Sequence, residues 1–126
     1  MRLGAQLYTV RDFCKTPEEL AEALARVAEI GYTTVQVSGT CAYDPEWLNA
    51  ELKKNGLECV ITHIPGERIL KETELVAREH DAFGCKYVGL GHYAFGDDEE
   101  KKTWRICCHR CRDICPLNLG SWNRDV

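Results

Sequence analysis

Gln6, Tyr8, Gln36 and His63 are the side chains in this 126-residue chain best placed to do chemistry. Each stands at the polar end of a short apolar run. Amides, phenols and imidazoles both donate and accept hydrogen bonds, which suits the lining of a polar ligand pocket. Ser38 extends the same pattern two residues after Gln36, and Gly39 permits a close turn behind it. His63 is the most versatile of the set, because a neutral imidazole serves as donor, acceptor or metal ligand near neutral pH. A structural role is open to every one of them, since buried polar groups need partners whether or not a ligand comes. His63 lies between Ile61 and Ile64, where a hydrogen-bonded wall residue would also fit.

Four strands would carry these residues: Leu3 to Tyr8, Thr33 to Val37, Leu57 to His63 and Lys86 to Leu90. Their starts lie 30, 24 and 29 residues apart, which is the spacing of βα units. Helix signals fill the intervals. Thr16-Pro17-Glu18-Glu19 offers an N-cap, a proline in the first turn and a capping-box glutamate, ahead of Leu20, Leu24, Val27 and Ile30 on one face; Gly31 ends the helix. Asp44-Pro45 opens a second helix with Trp47, Leu48 and Leu52, which stops at Asn55-Gly56. A third is expected from about Glu67 to Phe83, with Ile69, Val76 and Phe83 in helical period and Gly84 closing it.

Alternating short strands and helices imply a parallel sheet with right-handed crossovers. A doubly wound sheet would call for a glycine-rich phosphate loop after the first strand, and Tyr8-Thr9-Val10-Arg11-Asp12 has none of its glycines. The expected fold class is therefore α/β, with parallel βα units of a TIM barrel. A closed barrel needs about 250 residues, so an incomplete barrel is expected, about the first four units of eight. Strands one and four would then have open edges, and such edges recruit other chains or self-associate.

The composition breaks near residue 100. Residues 101–126 hold six of the 16 Lys and Arg but only Asp113 and Asp125 of the 20 acids, a net +4 against −8 for residues 1–100. They contain no Glu and no Ala, yet four of the eight Cys and two of the three Trp, Trp104 and Trp122. Surface helices are usually rich in Glu and Ala. The division is therefore residues 1–100 as the barrel half and 101–126 as an irregular, Cys-rich basic tail. A frameshift or exchanged end would produce such a tail; a divergent fourth helix is the alternative. Cys108-x-x-Cys111-x-x-x-Cys115-Pro116 matches the end of a bacterial ferredoxin run, but Arg105 stands where a further Cys is needed. Cys107, Cys108, His109, Cys111 and Cys115 have enough ligands for a zinc knuckle, with adjacent ligands crowding the tetrahedron. Accidental clustering is the third reading.

An overall charge of −4 with an acidic body argues against a nucleic-acid surface. No apolar stretch is long enough for a membrane span. Gln6, Arg11 and Asp12 interrupt any signal-peptide core. Cys14, Cys41, Cys59 and Cys85 are isolated along the sequence and suit reduced thiols, which points to the cytoplasm.

Four segments together carry a resemblance: Leu3-Gly-Ala-Gln-Leu-Tyr-Thr-Val-Arg-Asp12, Ile30-Gly-Tyr-Thr-Thr-Val-Gln-Val-Ser-Gly39, Thr62-His-Ile-Pro65 and Gly84-Cys-Lys-Tyr-Val-Gly-Leu-Gly91. In order, they are similar to the first four strands of the sugar phosphate isomerase/epimerase family of xylose-isomerase-like TIM barrels, over about residues 2–91. The resemblance implies a sugar or sugar phosphate as ligand, a histidine of the site at His63, and a divalent metal such as Mn2+ or Mg2+ held by carboxylates and a histidine. Family members place those ligands on later strands, and nothing after Gly91 matches them, so no metal site is assigned and the chain is expected to be inactive alone and prone to self-association. His63 and His92 are the weak metal candidates, as half of a site in the manner of the DNA-repair endonucleases that share this barrel type.

Overall fold

A computed structural model of the chain describes residues 3–90. Four parallel strands run β1 (Gly4–Gln6), β2 (Thr34–Val37), β3 (Glu58–His63) and β4 (Val88–Gly89), and they lie side by side in chain order. Each crossover thus returns to the adjacent position, and the order never reverses. A doubly wound sheet would show that reversal; a barrel wall does not. His92, and the tail with its ferredoxin-like and zinc-knuckle readings, lie outside the described residues.

The helices begin where side chains can satisfy their first N–H groups. In α1 (Pro17–Ile30) the Glu19 N–H donates to Thr16 Oγ1 at 3.2 Å, and the Thr16 N–H donates to Glu19 Oε2 at 3.2 Å. Gly31 closes the helix at φ +107°, a left-handed turn that a glycine makes without penalty. α2 (Pro45–Lys54) repeats the device with Asp44, whose Oδ1 accepts from the Trp47 N–H at 3.0 Å.

One core fills the space between sheet and helices. Leu20, Leu24, Leu48 and Leu52 come from the helices, Val35, Val37 and Cys59 from the strands, and Phe83 and Cys85 from the approach to β4. Full burial of each large aliphatic side chain contributes about 1.5–3 kcal/mol. Ile30, expected on this face, is 74% exposed. It lies at the edge of the stripe in the last turn, and Ala23 occupies the buried face in its place.

Three elements differ from expectation by more than one residue. β1 stops at Gln6, and Leu7–Phe13 form a 3-10 helix kinked at Val10. The Thr9 hydroxyl donates to the Gln6 carbonyl at 2.7 Å, a local bond that competes with extension of the strand. The third helix is two: α3 (Gly66–Lys71) and α4 (Thr73–Ala82). At the joint, the Thr73 hydroxyl takes the Ile69 carbonyl at 2.6 Å and Glu72 adopts φ −127°. Ile69, Val76 and Phe83 are all buried despite that break. β4 is shorter than Lys86 to Leu90.

Candidate functional site

Strand alternation sorts the side chains onto two faces. Val35 and Val37 enter the core beneath the helices, so Gln36 between them points to the opposite, concave side. β3 carries one extra residue: Val35 pairs with Cys59, but Gln36 pairs with Ile61. The bulge leaves Cys59 and Thr62 both on the helix side and turns Ile61 and His63 to the concave side.

There Gln36 Nε2 lies 2.9 Å from His63 Nε2. The geometry has the amide donating, so the imidazole accepts at Nε2 and carries its proton at Nδ1. Gly89, paired with His63 across the β3–β4 ladder, lies directly beneath the ring. A Cβ at position 89 would stand 2.6 Å from His63 Nε2. Gln6 is the register partner of Gln36 and therefore shares its face. Ser38 continues the alternation Thr34, Gln36, Ser38 one step past β2; it is 4% exposed and its hydroxyl has no hydrogen-bond partner among the described residues.

Of the residues singled out in the sequence, Gln36 and His63 are brought into contact and Gln6 stands beside them. Tyr8 is not on the β1 face, because the strand has already ended. It sits in the 3-10 helix above the strand ends, packed against Gly39, whose φ of +67° and missing side chain make room for the ring. The Arg11 guanidinium lies over that ring at 4.6 Å from its centroid.

His80, by contrast, is a structural histidine. It is 1% exposed, its Nδ1 donates to the Val76 carbonyl at 2.7 Å, and its Nε2 accepts from the Thr62 hydroxyl at 2.6 Å. Burial pushes its pKa down, so the ring is neutral. Cys59 and Cys85 lie close together in the core, each donating to a backbone carbonyl, Ile61 at 3.6 Å and Tyr87 at 3.3 Å, and the neighbouring Cys85 thiol together with burial pushes the Cys59 thiol well above its usual range. They are thus neighbours in the fold, although isolated along the chain, and the four cysteines of residues 3–90 are all free thiols.

No family profile matches the chain, and no curated protein sequence does. Solved structures do. A sugar phosphate isomerase/epimerase from Parabacteroides distasonis superposes with a TM-score of 0.63 at 14% identity, over 90% of this chain and 47% of that one. An AP endonuclease, family 2, from Brucella melitensis gives 0.69 at 17% identity, over 94% and 53%. A xylose isomerase domain containing protein from Salmonella typhimurium gives 0.64 at 17%, over 90% and 44%. The fold is that of part of a TIM barrel.

The chain spans about half the length of these solved proteins. In this partial TIM barrel, Gln36, Ser38 and His63 occupy the carboxyl ends of the strands, where enzymes of the fold place their sites. The described donors do not fit a metal ion. No group of three or more His, Cys, Asp or Glu comes together among them, and the Nε2 of His63 is already engaged by Gln36. What the arrangement can do is recognise hydroxyl groups through amides and an imidazole. Sequence reasoning did not find Gly89 or Arg11. A glycine at the end of a strand was the available signal for the first; nothing local marks the second.

Proposed function

We propose that this chain is the sugar-recognising first half of an isomerase/epimerase-type barrel, acting on a sugar or sugar phosphate. The observation that carries the reading is the Gln36–His63 hydrogen bond on the concave side, with Gln6, the register partner of Gln36, on the same face. The likeness to the Parabacteroides isomerase/epimerase supports it through the fold. Residues 3–90 bind and orient; they supply no cluster of carboxylates for metal-assisted proton transfer. The divalent metal such as Mn2+ or Mg2+ belongs to the reading only through groups beyond these residues. The four free thiols fit a reducing compartment, and we place the protein in the cytoplasm. No helix of the described residues is long and apolar enough to cross a membrane.

The test is a titration of the full chain with aldoses and ketoses, followed by amide and imidazole NMR shifts. Saturable shifts at Gln36 and His63, lost in Gln36→Ala and His63→Ala, are the expected result. Shifts absent from both residues for every sugar would overturn the reading. Turnover assayed with added Mn2+ or Mg2+ then separates a complete catalyst from a binding half.

A second reading is a non-catalytic interaction module. The outer edges of β1 and β4 have no strand partner among the described residues, and Leu3 and Tyr87 beside them are exposed. Light scattering of the purified chain would show a concentration-dependent assembly on this reading and a monomer otherwise.

A further inference from the structure

The segments that follow β1 and β2 are joined where two cysteines meet. The Cys41 N–H donates to the Cys14 carbonyl at 2.7 Å. Standard bond lengths on either side of that contact hold the two Cα atoms within about 6.6 Å of each other, inside the range that disulfides bridge. Both side chains belong to one apolar cluster, Cys14 as a member of the core and Cys41 packed against it. Burial raises both thiols, and the neighbouring Cys41 raises Cys14 further, so the two sulfurs lie within electrostatic reach. Their access to solvent differs. Cys14 is fully enclosed, its Sγ 3.6 Å from the Val10 carbonyl, whereas Cys41 is only half-buried. The core pair Cys59 and Cys85 offers no such entry, since each is 2% exposed. A reachable thiol with a second one enclosed behind it is the arrangement of an attacked and a resolving cysteine.

We propose that Cys14 and Cys41 form an oxidation site, at which a hydroperoxide links the segment after β1 to the segment after β2 through a disulfide. The Cys41 thiolate attacks a peroxide oxygen; the O–O bond breaks, leaving a sulfenic acid on Cys41 and releasing hydroxide, which takes a proton to become water. Cys14 then attacks the Cys41 sulfur. The S–S bond forms as the S–O bond breaks, and the departing hydroxyl leaves as a second water. Two electrons pass from the thiols to the peroxide, and a small thiol of the glutathione class reverses the link. The raised thiols make the first step slow, because only the thiolate attacks. Little backbone movement is needed, since Gly39, two residues before Cys41, already packs on Tyr8 of the first segment. The site is independent of the sugar-binding reading.

The experiment treats the folded full chain with hydrogen peroxide, blocks remaining thiols with N-ethylmaleimide and digests it with trypsin without reduction. The expected product joins residues 12–15, which hold Cys14, to residues 27–53, which hold Cys41. Dithiothreitol should separate the two peptides. Oxidation should also raise the urea midpoint, because the cross-link restricts the unfolded chain. Cys41→Ser, a change at a half-buried position, should keep the midpoint of the reduced parent and lose the rise, with Cys14 recovered unlinked. Cys41 oxidised to the sulfinic acid while Cys14 stays free would overturn the proposal. So would Cys14 joined to another cysteine, or a link between Cys59 and Cys85 that forms first.

Discussion

The His63 imidazole fills the space that a side chain at Gly89 would take, so the end of β3 and the end of β4 can approach only because position 89 is bare. Gly89→Ala should therefore destabilise the fold by about 1–3 kcal/mol, the usual cost of forcing an extra carbon into a packed site. His63→Ala should relieve most of that cost. Urea unfolding of the two single variants and the double variant measures it, and additive effects would show that the ring and the glycine do not compete for the same space.

Gln36 decides which nitrogen of His63 carries the proton. With the amide donating to Nε2, the neutral ring is the Nδ1–H tautomer. Gln36→Leu should release the ring to a mixture of tautomers, read as a change in its two 15N shifts, with a stability loss of about 1 kcal/mol. Unaltered 15N shifts in the variant would remove Gln36 from this role.

His80 makes stability depend on pH. Its folded pKa lies below the unfolded value because burial disfavours the charged ring; Glu79 and Asp81 oppose that shift and Arg68 adds to it. Below its ordinary pKa of about 6.5 the unfolded chain then binds more protons than the folded one. The stabilisation is complete above that value and declines as the pH falls through it. Denaturation midpoints should drop between neutral and mildly acidic pH, and His80→Gln should flatten this dependence while lowering stability at pH 7. An equal acid response in parent and variant would assign it to other groups.

Thiol reactivity should follow enclosure. Cys14, Cys59 and Cys85 are each at most 2% exposed, whereas Cys41 is only half-buried. Iodoacetamide at neutral pH, with sites mapped by mass spectrometry, should modify Cys41 first among these four. Burial raises the Cys41 thiol too, so its reaction should quicken as the pH is raised. Early labelling of Cys59 in folded protein would contradict the packing of the core.

Much of the frame is legible in local chemistry. Thr16, Pro17 and Glu19 mark a helix start because the groups that satisfy its first N–H donors are close in sequence, and Gly31 marks its end for the same local reason. The order of four parallel strands follows from spacing. Tyr8 was misplaced because the Thr9 hydroxyl draws the chain into a turn right after Gln6, and alternation of apolar residues cannot register a competing side-chain bond. The joint between α3 and α4 was missed for a similar reason at Thr73. The pairing of Gln36 with His63 spans a sequence separation of 27 and depends on register, and no local pattern carries that information. Arg11 looks like any surface cation until Tyr8 and Gly39 are seen packed against it.

The additional residue in β3 also sets a rule of length. Were β3 regular at its present length, Gln36 would fall opposite Val60, and every later side chain would exchange sides. Thr62 would then face the hollow of the wall and His63 the helices, with no change in either amino acid. Related chains one residue shorter here and free of the bulge would present the Thr-His pair to the same two sides as this one, and comparing them residue by residue without a gap would equate side chains that lie on opposite surfaces.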